Sequence, residues 1–123
     1  MTSSKRLLLM DNDNAARSAL IQVVEPLGHS ILSTWGGTEA LQYLTVERFD
    51  LLWMDHHVPD MYAGEFINRV LRIPDHPEIV VMQRPELPPI KYAKVLGSCH
   101  FVDKQDINGL LATLNYGTSY PIA

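Results

Sequence analysis

Phe49-Asp50-Leu51-Leu52-Trp53-Met54-Asp55 is the stretch that decides the fold. From Leu51 to Met54 every side chain is apolar, so the segment has no polar face to turn to water. A short run of this kind, closed by a carboxylate, reads as a strand buried on both faces of a parallel sheet. Leu7-Leu8-Leu9-Met10 repeats the pattern and ends in Asp11-Asn12-Asp13. The two runs read as neighbouring strands, and in an open α/β sheet ligands bind at the carboxyl ends of the strands. Carboxylates gathered there suit a divalent cation, and a cation beside an aspartate suits phosphoryl chemistry.

Outward from these strands the chain alternates. Residues 6–10 form the first strand and residues 14–27 a helix, with Ala16, Leu20, Val23, Val24 and Leu27 at helical spacing. Asp13 or Asn14 is its N-cap and Gly28 its stop. Ser30–Thr34 is the second strand, Gly36-Gly37 opens a helix carrying Ala40, Leu41 and Leu44, and Phe49–Met54 is the third strand. After Pro59 and Gly64 comes a helix with Phe66, Ile67, Val70 and Leu71 on one face, then a fourth strand over Ile79–Met82. Pro85, Pro88 and Pro89 delay the next helix to about Pro89–Leu96, because proline fits only the first turn. His100–Val102 is the fifth strand, and Asp106 caps a last helix bearing Ile107, Leu110, Leu111 and Leu114. Five strands alternating with five helices predict a doubly wound parallel α/β layer covered on both faces. The switch point of such a sheet puts the first and third strand ends side by side, with Asp11, Asn12 and Asp55 in one pocket.

The bulk properties narrow the function. One domain of 123 residues, 46% hydrophobic and 20% charged, is ordinary for a globular protein. The net charge of −4, with no Lys/Arg run, argues against nucleic acid or an anionic membrane as partner. Cys99 is the single cysteine, which suits a reducing compartment, and no apolar stretch is long enough to span a bilayer. A cytoplasmic location is expected.

On several spaced features the chain resembles the CheY-like receiver domains of two-component response regulators. They are Leu7–Asp13 with Arg17, Gly37-Thr38-Glu39-Ala40-Leu41, Phe49–Asp55, Val58-Pro59-Asp60-Met61, Gly97 and Phe101-Val102-Asp103-Lys104. The resemblance implies a flavodoxin-like fold of five strands and five helices with strand order 2-1-3-4-5; it covers residues 5–115 and leaves 116–123 as a tail or the start of a linker. It implies that Asp55 takes a phosphoryl group from a histidine kinase or phosphotransfer protein, with Lys104 contacting the phosphoryl oxygens. It implies Mg²⁺ held by Asp11, Asn12, Asp55 and the backbone carbonyl of His57. It makes Phe101 the aromatic switch residue and the last two strand–helix units, including Tyr92, a surface for partners and for a homodimer.

Four departures bear on that reading. Asn12 stands where the family has Asp or Glu, which removes one charge from the metal site and predicts weaker Mg²⁺ binding. Asp13 could replace it, although helix capping is the preferred role. The fourth strand of the family ends in a switch Thr or Ser. Here the equivalent is Met82, or Gln83 with a one-residue slip; neither has a hydroxyl, and Met has no donor at all. Gln105 follows Lys104 where the family has a cis proline, and a non-proline cis bond costs about 3 kcal/mol. A trans bond is therefore expected, which leaves Lys104 room to move away from the pocket. The Met61-Tyr62-Ala63-Gly64 loop is one residue longer than usual and is expected to sit differently over the site.

These departures leave an alternative: a pseudo-receiver, independent of phosphorylation, acting as an interaction or dimerisation module. A flavin-binding protein of the same fold is set aside, because Asp11-Asn12-Asp13-Asn14 would repel the flavin phosphate. His56 and His57 with the carboxylates suggest a transition-metal site only weakly, since adjacent residues at a strand end point apart. Trp35 and Trp53 read as core or rim aromatics.

Overall fold

The computed structural model describes residues 4–91 and 97–116. Its strands are β1 (Arg6–Met10), β2 (Ser30–Thr34), β3 (Leu51–Asp55), β4 (Glu78–Gln83) and β5 (Cys99–Asp103). The described residues hold four α-helices: α1 (Asn14–Val24), α2 (Gly37–Val46), α3 (Ala63–Leu71) and α4 (Ile107–Ala112). All pairings are parallel and the order is β2-β1-β3-β4-β5, the flavodoxin-like arrangement expected from the sequence.

The apolar runs sit where their composition requires. β3 is central and buried at every position, and β1 is buried from Leu7 to Met10. Alternate residues serve opposite layers. Leu7, Leu9, Leu51, Trp53, Val80 and Met82 pack with Leu20 and Val24 of α1 and with Leu110 and Leu114. Leu8, Met10, Leu52, Met54, Ile79 and Val81 pack with Ala40 and Leu44 of α2 and with Phe66, Ile67 and Val70 of α3. Trp53 brings a polar N–H into the first layer, and its Nε1 donates to Thr113 Oγ1 at 2.9 Å, so the donor is satisfied. Trp35, by contrast, is half exposed.

Helix ends follow their local chemistry. Asp13 caps α1 by accepting from the Ala15 and Ala16 amides, which holds its carboxyl below the usual range. α1 stops at Val24, earlier than the expected Leu27, because Pro26 at the second position of Glu25–Leu27 turns that segment into a 3₁₀ turn closed by left-handed Gly28. α2 lacks a cap of its own and takes one from the β3–α3 loop: Asp60 accepts from Gly37 N at 2.8 Å and Thr38 N at 3.0 Å. A Cβ at Gly37 would lie 3.0 Å from Val58 Cγ1, so a larger residue there would press on the β3–α3 loop. That loop is anchored on α2, with Val58 buried and Met61 against the core.

Two expectations need adjusting. β3 begins at Leu51, not Phe49, because Phe49 turns into the core beneath the Arg6 guanidinium and Asp50 accepts from Arg6 N at 2.7 Å. Of the helix expected over Pro89–Leu96, residues 89–91 are not helical, and residues 92–96, Tyr92 included, lie outside the described residues.

Candidate functional site at the carboxyl edge of the sheet

Asp55 is the last residue of β3, and Asp11 follows β1 directly. The register pairs Met10 with Met54, so the two aspartates stand on neighbouring strand ends. Both are removed from water, at 0% and 1% exposure. Two adjacent buried carboxylates repel each other strongly unless a cation lies between them. Lys104 supplies it: its Nζ is 2.8 Å from Asp11 Oδ2 and 3.0 Å from Asp55 Oδ1. Burial pulls the Lys104 ammonium down, but the hydrogen bonds to Asp11 and Asp55 outweigh it and hold the group above its ordinary 10.5.

Lys104 stays at the pocket although Gln105 replaces the proline. The peptide bonds are trans throughout the described residues, as expected. An Asx turn does the orienting instead: Asp103 Oδ1 accepts from Gln105 N at 2.9 Å, and Lys104 N donates to Gln83 O at 2.8 Å. These bonds aim the lysine across β4 toward β3 and β1.

The metal-site residues of the resemblance separate into two kinds. Asp11 is anchored by Asp13 N, which donates to its Oδ1 at 3.0 Å, and its own N donates to Thr34 O. Asn12 and His57 are exposed at the same edge. Among the described residues no three His, Cys, Asp or Glu side chains converge on a point that could hold a metal. The donors that do meet, two aspartate carboxylates, are the hard oxygen ligands Mg²⁺ takes. Asp55 Oδ2 is buried without a hydrogen-bond partner, the kind of orphan an added cation would satisfy.

Register answers the one-residue ambiguity on β4. Asp55 pairs with Met82, whose side chain lies fully buried on the Trp53 face, whereas Gln83 is exposed. The position beside Asp55 therefore carries a thioether. Phe101 pairs with Val81 and is 40% exposed, facing the opposite layer from Met82.

Two features escaped the sequence reading. Arg84, just beyond β4, brings its Nε to 3.5 Å from Asp55 Oδ1, adding a second cation at the edge. His56 straps two loops together: its Nδ1 accepts from Arg84 N at 3.0 Å, so Nε2 carries the proton and donates to Pro88 O at 2.8 Å. The dense Pro85, Pro88 and Pro89 segment was a signal that β4 leads into a shaped loop; nothing in it showed which side chain would turn back.

No family model matches the chain. It is 29% identical over 107 residues to sporulation initiation phosphotransferase F of Bacillus subtilis, covering 85% of this chain and 86% of that protein. It is 28% identical over 102 residues to the transcriptional regulatory protein CrdR of Helicobacter pylori, covering 81% of this chain. The chain spans 48% of the length of CrdR. The chain is similar to response regulators and shares the fold of CheY-like receiver domains. The receiver fold is shared with chemotaxis response regulator CheY4 of Vibrio cholerae, with a TM-score of 0.80, 22% identity, and coverage of 94% and 100% of the two chains. It is shared also with the receiver of Saccharomyces cerevisiae Ssk1, crystallised with the histidine phosphotransfer protein Ypd1, at a TM-score of 0.78, 14% identity and coverage of 95% and 91%. No helix of the described residues in this receiver is long and apolar enough to cross a membrane.

Proposed function

We propose that this receiver takes a phosphoryl group on Asp55 and signals its state through protein–protein contacts. The observation that carries the reading is the buried Asp11–Lys104–Asp55 arrangement at the carboxyl ends of β1 and β3. Asp55 Oδ1 is engaged by Lys104, while Oδ2 has no hydrogen-bond partner and keeps its lone pairs for attack. Oδ2 attacks the phosphorus of a phosphohistidine or an acyl phosphate. The bond from phosphorus to the donor breaks, the donor leaves with the electron pair, and a mixed anhydride forms on Asp55. Lys104 offsets charge on the transferred oxygens. The residues that would hold Mg²⁺ are Asp11, Asp55, the Asn12 amide and the His57 carbonyl; bound there, the metal supplies further neutralisation of phosphoryl charge.

The donor is a histidine kinase or phosphotransfer protein, the kind of partner Ssk1 has in its complex with Ypd1. The role is regulatory and not that of a metabolic enzyme, and the expected compartment is the cytoplasm. The test is intact-protein mass after incubation with acetyl phosphate and Mg²⁺, beside an Asp55→Asn control. One phosphoryl adduct on the wild type alone is expected. No adduct on a folded wild type would replace this reading with a phosphorylation-independent interaction module.

A further inference from the structure

The end of β4 holds a cation that the transfer chemistry above does not use. Arg84 Nε is buried and makes no hydrogen bond, and it lies 3.5 Å from Asp55 Oδ1. A buried donor left unpaired is costly, and so is the unpaired acceptor Asp55 Oδ2 in the same place. The orphan donor and orphan acceptor share the edge without meeting. A group bonded to Asp55 and carrying further acceptor oxygens would satisfy the arginine.

Beside them a cavity of about 350 Å³ is lined by Gln83, Arg84, Glu86, Asp103 and Lys104, so both cations border one opening. The neighbouring strand position offers nothing to a phosphoryl oxygen, because Met82 has no donor. A guanidinium matches phosphoryl oxygens well, being planar, always charged and rich in N–H groups.

We propose that Arg84 is the phosphoryl ligand of this receiver, taking the place of the absent strand-end hydroxyl, and that it reports the state of Asp55 to the loop after β4. The inference rests on the phosphoacceptor reading of Asp55. Before transfer, Arg84 is shared between two acids: Nη1 is 3.9 Å from Glu86 Oε2, an exposed and weak contact. Transfer adds charge and three acceptor oxygens at Asp55, which draws the guanidinium from Glu86. The movement has a route outward, since Arg84 N donates to His56 Nδ1 and His56 Nε2 to Pro88 O. Arg84 thus joins the acceptor to the segment from Pro85 to Pro88.

The test uses beryllofluoride with Mg²⁺, a phosphoryl analogue that bonds a carboxylate oxygen, with binding followed by ¹⁹F NMR on the full chain. Arg84→Gln is expected to weaken binding by about tenfold or more, the size of a lost charge-assisted hydrogen bond. Arg84→Lys should recover part of that loss. Glu86→Gln should move the affinity the other way, toward tighter binding, because it removes the competing acid; a purely structural arginine would give no such gain. Affinity unchanged in Arg84→Gln overturns the proposal. Should Arg84→Gln not fold, Glu86→Gln decides, and an affinity equal to or below the wild type overturns it. A wild type that accepts phosphoryl from acetyl phosphate while Arg84→Gln binds like it refutes the arginine alone. A wild type that takes neither acetyl phosphate nor beryllofluoride refutes the phosphoacceptor reading together with it.

Discussion

The carboxyl edge of the sheet has two halves of different chemistry. On the β1–β3 half, Asp11 and Asp55 are buried and bridged by Lys104, and Asp11 is anchored by the Asp13 amide. On the β4–β5 half, a fully buried methionine stands beside Asp55, Phe101 is partly exposed and an arginine turns inward from a proline-rich loop. The first half holds charge; the second is where a change of charge would be sensed. The two halves are joined through Lys104, which follows β5, is held by Gln83 O of β4 and reaches Asp55 and Asp11.

The largest expected effect breaks the first half. Lys104→Met leaves two buried carboxylates without their shared cation, and urea unfolding at neutral pH should show a loss of about 3 kcal/mol. The sign with pH follows from the raised Lys104 ammonium. Its stabilising share is complete below the unfolded value near 10.5 and is lost as pH climbs through the higher folded value. Wild type and Lys104→Met should therefore converge in stability in strong alkali. Equal stability at pH 7 would mean that the two aspartates do not depend on this lysine.

Met82→Thr sharpens the second half. It replaces a fully buried thioether with a smaller, polar group, so a cost of about 2 kcal/mol is expected in denaturant unfolding. It also returns a hydroxyl to Asp55's partner position, and beryllofluoride affinity should rise despite the lower stability. A fall in both would show that the methionine is integral to the site. Thr113→Val belongs to the layer beneath Asp55: it leaves the Trp53 indole N–H unpaired, for about 1–2 kcal/mol. An unchanged unfolding midpoint would show that the indole finds another acceptor. The smallest effect is that of Asp60→Ala, which removes the cap of α2 and should cost about 1 kcal/mol. Burial pushes the Asp60 carboxyl up, but the Thr38 and Gly37 amides outweigh it and hold it below 3.8. Its contribution is present above that value and disappears as pH falls through the lower folded one, so the two proteins should become equally stable in acid.

The same division explains what the sequence made legible. Leu7–Met10 and Leu51–Met54 are apolar at every position, a pattern that only a doubly covered strand satisfies, and each stops at its carboxylate. The central strands follow from that; the topology and the meeting of Asp11 with Asp55 needed also the alternation of five strands with helices and the likeness to receiver domains. The β4–β5 half depends on distances between loops. Arg84 is one charged residue in a run of prolines, and its approach to Asp55 exists only after β4 has paired with β3. His56 was weighed as a metal ligand because its neighbour is also histidine; its use as a strap required the carbonyl of Pro88 to come within reach. The missing proline leaves Lys104 without its usual constraint, and the Asx turn of Asp103, not legible in the sequence, supplies one instead.

The most direct measurement is chemical trapping of the acceptor. After incubation with acetyl phosphate and Mg²⁺, borohydride reduces an aspartyl phosphate to homoserine, and peptide mass spectrometry locates it. The account predicts homoserine at position 55 and nowhere else. Homoserine at Asp11 or Asp13, or none in a folded protein, would contradict it.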